Sequence, residues 1–210
     1  MNPYRRVQTP KSRQTVIGIT GTMGSGKSMA ASILKERIPA IDCDAINASL
    51  QQPGRPGWKA LEKAGLLYVD ESGQMDRQKL ADVLFEDPSL RKKIEGLLQP
   101  LIIEAMDQWI ERQQGLCAVE VPLLFECSLQ NHFDQVWTVC CNSQTALKRL
   151  QEGRNIPSQE AKRRLALQME PEVKAKLSDV VLFNDDTPEA LRRQINQHLD
   201  KLMEKEANAH

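Results

Sequence analysis

The sequence predicts an α/β fold, a mainly parallel sheet with helices on both faces. Three observations predict it. Strand-like and helix-like segments alternate along the chain, the strand candidates are short apolar runs, and the first of them opens through a glycine-rich loop into a helix. A parallel sheet needs a crossover between successive strands, and helices supply it.

The first strand is Thr15-Val16-Ile17-Gly18-Ile19-Thr20, and Met29-Ala30-Ala31-Ser32-Ile33-Leu34 reads as the helix that follows. Between them, Gly21 to Ser28 (Gly-Thr-Met-Gly-Ser-Gly-Lys-Ser) fits G-x-x-x-x-G-K-[ST], a loop whose backbone N–H groups wrap around phosphate oxygens. The positive end of the helix adds to that attraction. Thr22, Met23, Gly24, Ser25 and Gly26 are therefore candidate phosphate-binding residues, Lys27 reaches the β- and γ-phosphates, and the Ser28 hydroxyl is the candidate Mg²⁺ ligand. The chain is expected to bind a nucleoside triphosphate.

Ala40-Ile41-Asp42-Cys43-Asp44 reads as a second strand ending in two carboxylates. Ligands of open α/β sheets gather at the carboxyl ends of strands, and residues two apart on a strand point the same way. Asp42 and Asp44 can accept a proton from an attacking hydroxyl or hold Mg²⁺ through water, and Asp44 is the stronger candidate for the base. The competing assignment is a solvated strand end with Asp44 capping the next helix. Gln52 to Gly57 is a Pro/Gly-rich turn, and Trp58 to Arg112 is mainly helical, with a helix start at Asp87-Pro88-Ser89 and Pro100 expected to kink or divide the last stretch.

Leu116 to Phe125 is an apolar strand running into a loop, with Glu120 where an acid of the Walker-B kind would sit. That residue is either a water-mediated metal contact or a polar strand end. Gln135 to Cys141 is another strand, Ser143 to Glu152 a helix with Ser143 as its cap, Asp179 to Phe183 a last strand, and Pro188 to Met203 a closing helix. The stretch carrying Arg149, Arg154, Lys162, Arg163, Arg164, Lys174 and Lys176 is strongly basic. Two assignments stand for it: arginines that fold over a transferring phosphoryl group, or a solvated helix face paired with Glu152, Glu160, Glu170 and Glu172.

Bulk properties narrow the class. The chain has 210 residues, 28 Lys plus Arg and 28 Asp plus Glu, so no global field draws it to nucleic acid. It contains no run of about 18 apolar residues that would span a bilayer. The basic segment from Met1 to Thr15 has no apolar centre and reads as a disordered arm. Cys43, Cys117, Cys127, Cys140 and Cys141 form no C-x-x-C pair, which argues against zinc and disulfides and for a cytoplasmic location, with Cys117 and Cys140 buried.

Taken in order, these segments resemble the dephospho-coenzyme A kinase family. The resemblance runs from Val16 to about Asn184. It is carried by residues 17–28, by Ile-Asp-Cys-Asp-Ala-Ile (41–46), by residues 75–85, and by Val-Pro-Leu-Leu-Phe-Glu (121–126). Arg149-Leu150, Arg154, Arg164-Leu165, Gln168 and Ser-Asp-Val-Val-Leu-Phe-Asn (178–184) complete it. The resemblance implies a P-loop kinase-like three-layer α/β/α core formed by residues 16–44, 115–148 and 178–210. It also implies a helical substrate-binding insertion (45–114) and a lid (149–177). The implied activity is transfer of the γ-phosphate of ATP to the ribose 3′-hydroxyl of dephospho-coenzyme A, with Mg²⁺, in a protein needing no obligate protein partner.

Carried over residue by residue, the resemblance makes Asp44 the base, Lys27 and Ser28 the phosphate and metal ligands, Arg149 the lid arginine and Arg154 its assistant. Arg77 either touches acceptor phosphate or pairs with Asp76 or Asp82. The chain departs from the family pattern at Met29, Gln99-Pro100, Glu120, Ser178 and Gly153, none of which removes the loop, Asp44 or Arg149. Two other assignments compete: a kinase for a nucleoside monophosphate, shikimate or gluconate, and a nucleotide-switched binding protein. Against the latter, the chain has no Asn-Lys-x-Asp motif.

Overall fold

The computed structural model describes residues 14–154 and 156–208, so the basic arm lies almost wholly outside the described residues. In chain order the elements are β1 (Thr15–Gly21), α1 (Lys27–Lys35), β2 (Ala40–Asp42), α2 (Cys43–Leu50), α3 (Pro56–Lys63), α4 (Arg77–Glu86) and α5 (Pro88–Glu111). There follow β3 (Leu116–Glu120), a 3-10 turn at Gln130–His132, β4 (Gln135–Cys140), α6 (Ser143–Arg154), α7 (Ser158–Ala166), α8 (Pro171–Lys176), β5 (Val180–Phe183) and α9 (Pro188–Ala207). Two compact units result, Cys43–Arg112 and the chain on either side of it.

The larger unit is built on a parallel sheet in the order β2-β3-β1-β4-β5. The chain leaves β1 toward β2 on one side and β4 toward β5 on the other, so the switch in direction falls beside the carboxyl end of β1, where α/β sheets place their ligands. β1 is buried along its whole length, which is why it reads as an uninterrupted apolar run. Ile17 and Ile19 face Ala30, Ile33 and Leu34 of α1 and Leu191, Ile195, Leu199 and Leu202 of α9 in one core cluster. The α9 residues recur at helical spacing, and burial of each contributes about 1.5–3 kcal/mol. Thr187 caps that helix by accepting the Ala190 N–H, with Pro188 at its first position.

Gly18 serves the other face of β1. A Cβ there would lie 2.7 Å from Phe133 Cγ and 2.8 Å from Leu124 Cδ1, so two large side chains close on the strand only because it lacks one. Two carboxylates finish the ladders. Asp134 Oδ2 accepts the Val16 N–H at 2.8 Å, and Asp179 Oδ2 accepts the Val136 N–H at 2.7 Å. Asp179, expected inside the last strand, stands just ahead of β5 for that reason.

The second strand is shorter than expected. β2 ends at Asp42, and Asp44 lies in the first turn of α2, exposed, so the two aspartates do not share a strand face. The cause is the neighbouring strand. β2 pairs only with β3, whose last residue, Glu120, sits opposite Asp42, and Pro122 beyond it has no N–H with which to continue a ladder.

In the smaller unit α3, α4 and α5 surround a core of Leu61, Leu66, Leu80, Ile94 and Leu98, and α2 packs against α3 and α5. Asp76 caps α4 by accepting the Lys79 N–H, and Asp87 caps α5 by accepting from Ser89 and Leu90, ahead of Pro88. Asp82 accepts from Gln78 Nε2, and the Arg77 side chain lies outside the described residues. Helix α3 starts at Pro56, inside the expected turn, and residues 64–76 are non-helical apart from an antiparallel bridge between Val69 and Met75. Pro100 does not divide α5, which runs unbroken through it. One i→i−4 bond is lost there, and buried Ile94, Leu98, Ile103, Met106 and Ile110 hold the two halves in one helix.

Candidate active site

The loop leaving β1 turns through residues 22–26 and feeds α1. Gly24 (φ +79°) and Gly26 (φ +98°) sit in the left-handed region, and a Cβ on either would strike Ala146 O at 2.8 Å or Asn184 Nδ2 at 2.0 Å. The Gly26 carbonyl accepts the Met29 and Ala30 N–H groups, starting α1, whose first turn contains no acidic residue to oppose an anion.

Side chains from distant elements hold this loop. Lys27 Nζ donates to Thr22 O at 3.2 Å, inside the loop itself. Ser28 Oγ donates to Glu120 Oε1 at 2.9 Å, and Glu120 is buried at the end of β3. Arg149 Nη1, from α6, lies 3.4 Å from both Gly24 O and Ser25 O. Gln168 Oε1, between α7 and α8, accepts the Met23 N–H at 2.8 Å. Asn184 Nδ2, just past β5, donates to Ser25 O at 2.7 Å. Ser25 Oγ is fully buried and makes no hydrogen bond in this arrangement.

The structure thus gathers Thr22, Met23, Gly24, Ser25, Gly26, Lys27, Ser28, Glu120 and Arg149 around one loop. Asp44 belongs to the other compact unit and is described there. Arg154 ends α6, and its side chain lies outside the described residues. Asn142, and not Ser143, caps α6: its Oδ1 accepts the Thr145 N–H at 2.8 Å, while Ser143 is already helical. Burial pushes the Cys141 thiol up, although Arg149 opposes the shift, and it raises Cys140 to about 11, with Cys141 adding to the effect. Both thiols stay neutral, with Cys141 Sγ beside the loop at 3.7 Å from Gly24 O.

Three side chains went unassigned at the sequence level. Gln168 and Asn184 both fall in segments that carry the resemblance, but their roles depend on contacts 145 and 159 residues away. Lys174 falls in the basic stretch, for which the sequence leaves both a lid and a solvated face open. It is fully buried, and its Nζ meets Glu126 Oε1 at 2.9 Å and Pro122 O at 3.3 Å.

A β2-β3-β1-β4-β5 parallel sheet with a glycine loop between β1 and α1 defines a P-loop kinase fold. A shikimate kinase structure from Bacteroides thetaiotaomicron shares that fold at a TM-score of 0.53 and 14% identity, covering 91% of this chain and 99% of its own. The dephospho-CoA kinase family model matches residues 15–189. A dephospho-CoA kinase of Bacillus cereus is 35% identical over 192 residues, 89% of this chain and 96% of its own length. One from Thermosynechococcus vestitus is 32% identical over 190 residues, 89% of this chain and 94% of its own. The crystal structure of TT1252 from Thermus thermophilus superposes with a TM-score of 0.78 at 28% identity, covering 91% of this chain and 99% of that one. The chain belongs to the dephospho-CoA kinase family. No helix among its described residues is long and apolar enough to cross a membrane.

Proposed function

We propose that the protein transfers the γ-phosphate of ATP to the ribose 3′-hydroxyl of dephospho-coenzyme A, giving coenzyme A and ADP, the last step of coenzyme A biosynthesis. The observation that carries this reading is the convergence of Lys27, Ser28, Glu120 and Arg149 on one glycine loop, in a chain of this family.

In the reaction the 3′-oxygen attacks the γ-phosphorus, the bond to the β–γ bridging oxygen breaks, and the hydroxyl proton leaves. Asp44 takes that proton. Its support is chemical: it is an exposed carboxylate in the first turn of α2, two residues past the end of β2. Amides of residues 22–28 surround the phosphates, and Lys27 moves from Thr22 O to their oxygens. Arg149, already at the loop, offers its guanidinium to the transferring group, where negative charge spreads over three oxygens.

Mg²⁺ fits the donor set, because the Ser28 hydroxyl and the Glu120 carboxylate are hard oxygens and this ion keeps few protein ligands and several waters. Ser28 would hold it directly and Glu120 through water. When bound, it neutralises charge on the β- and γ-phosphate oxygens. Residues 45–114 receive the acceptor, and residues 149–177 act as the lid that excludes water. We infer a cytoplasmic location from the spacing of the five cysteines, which carry no C-x-x-C pair.

The test is an acceptor screen. ADP release should depend on dephospho-coenzyme A and stay near background with AMP, shikimate or gluconate. Faster release with any of those three than with dephospho-coenzyme A would overturn the reading.

A further inference from the structure

The Ser25–Gly26 peptide is held from outside the loop by a side chain the transfer mechanism leaves unused. Asn184 is 2% exposed, and its Nδ2 donates to Ser25 O at 2.7 Å. In a trans peptide the C=O and the following N–H point in opposite directions. A Ser25 carbonyl drawn outward to Asn184 therefore turns the Gly26 N–H inward, toward the space the loop encloses. Gly26 is shaped to the same contact, since a Cβ on it would lie 2.0 Å from Asn184 Nδ2.

We propose that Asn184 is a positioning residue for the polyphosphate of the nucleotide, presetting the Ser25–Gly26 peptide before ligand arrives. The inference rests on the phosphate-binding role given to the loop above, and it adds a residue to it. Two further observations support it. Asn184 is held independently of its own amide: its N–H donates to Cys140 O at 2.8 Å, and the Oδ1 of the next residue, Asp185, accepts from Asn142 N and Nδ2 at 2.8 and 2.6 Å. A rigidly mounted donor loses little entropy when it makes its bond. The other partner of Ser25 O, Arg149 Nη1, is farther away at 3.4 Å and is required elsewhere during transfer. Once the guanidinium turns to the γ-phosphate, Asn184 alone keeps the carbonyl out of the nest. An outward carbonyl matters because an inward one would set a partial negative charge against a phosphate oxygen.

The experiment measures calorimetric affinity for ATP and for inorganic tripolyphosphate in the unsubstituted protein, Asn184→Ala and Asn184→Asp. It also records ligand-free melting temperatures and the KM values for ATP and acceptor. Loss of one well-placed buried hydrogen bond weakens binding about tenfold. Asn184→Ala should weaken ATP and tripolyphosphate by that same factor, raise KM for ATP with KM for the acceptor unchanged, and lower the ligand-free melting temperature by only about 2–4 °C, since the bond it removes is also made without ligand. Asn184→Asp, which keeps the shape and sets a carboxylate against the carbonyl, should weaken both ligands further and serves as the comparison should the alanine variant not fold. Weakened ATP with unchanged tripolyphosphate would overturn the inference, because Asn184 would then act on the base or sugar. Equal affinities in parent and variants would overturn it as well. A parent protein that binds neither ligand would instead sink the nucleotide reading of the loop, and this inference with it.

Discussion

Ser28 Oγ donates to Glu120 Oε1 across 2.9 Å, tying the first turn of α1 to the carboxyl end of β3. The pair aims the hydroxyl and orients the acid that would hold a metal-bound water. Outer-shell partners of a metal ligand are worth about 10–100-fold in metal affinity or activity. Glu120→Gln should therefore raise the Mg²⁺ concentration giving half-maximal rate by about tenfold or more, while ATP binding without Mg²⁺ stays close to parent. A titration of rate against Mg²⁺ at saturating substrates checks it.

Lys174 and Glu126 form a partly buried ion pair in the larger unit. Lys174 is fully enclosed, Glu126 is 22% exposed, and Glu126 also accepts the Met169 N–H at 3.1 Å. Removing one partner strands the other charge, at a cost of about 3–5 kcal/mol for a buried pair. Glu126→Ala should lose about 3 kcal/mol, the low end, because the carboxylate retains some water. Lys174→Met combined with Glu126→Leu should lose less than Glu126→Ala alone. Denaturant unfolding of the single and double variants reads the difference.

His198 packs edge-on to Trp137 at 5.9 Å, and burial, with Lys201 adding, holds its pKa below the ordinary 6.5. The native state therefore takes up the proton later than the unfolded chain. His198 favours folding fully above pH 6.5, and that contribution is lost as pH falls through 6.5 toward the native value. His198→Phe should show a smaller loss of stability on acidification than the parent, measured by urea midpoints between about pH 7.5 and 5.

Cys140, raised to about 11 by burial, and its neighbour Cys141, also raised, have little thiolate to offer. Native-state alkylation at about pH 8 should modify half-buried Cys127 ahead of both, and peptide mass spectrometry reports the order.

What the sequence made legible was local. Gly21 to Ser28 specifies its own loop through glycines and a lysine at fixed offsets, and Val16 to Thr20 or Val136 to Cys140 announce buried strands by composition. The errors arose where a distant partner decides the outcome. Nothing near Asp44 says that β3 stops pairing at Glu120, so the aspartate pair read as one strand face. Pro100 carries a strong local signal against helix, overridden by apolar contacts on both sides of it. Lys174 lies among other cations, and its partner Glu126 is 48 residues earlier, across β4, α6 and α7. Asn142 and Ser143 are both competent caps, and only backbone geometry separates them.

The most direct trial of the proposed chemistry is turnover of Asp44→Asn at saturating ATP and dephospho-coenzyme A, with ATP affinity measured on the same preparation. The substitution keeps the side-chain shape and removes the proton acceptor. Loss of a general base lowers kcat by roughly 10² or more, with the dissociation constant for ATP unchanged. Parent-like turnover in the asparagine variant would contradict the account.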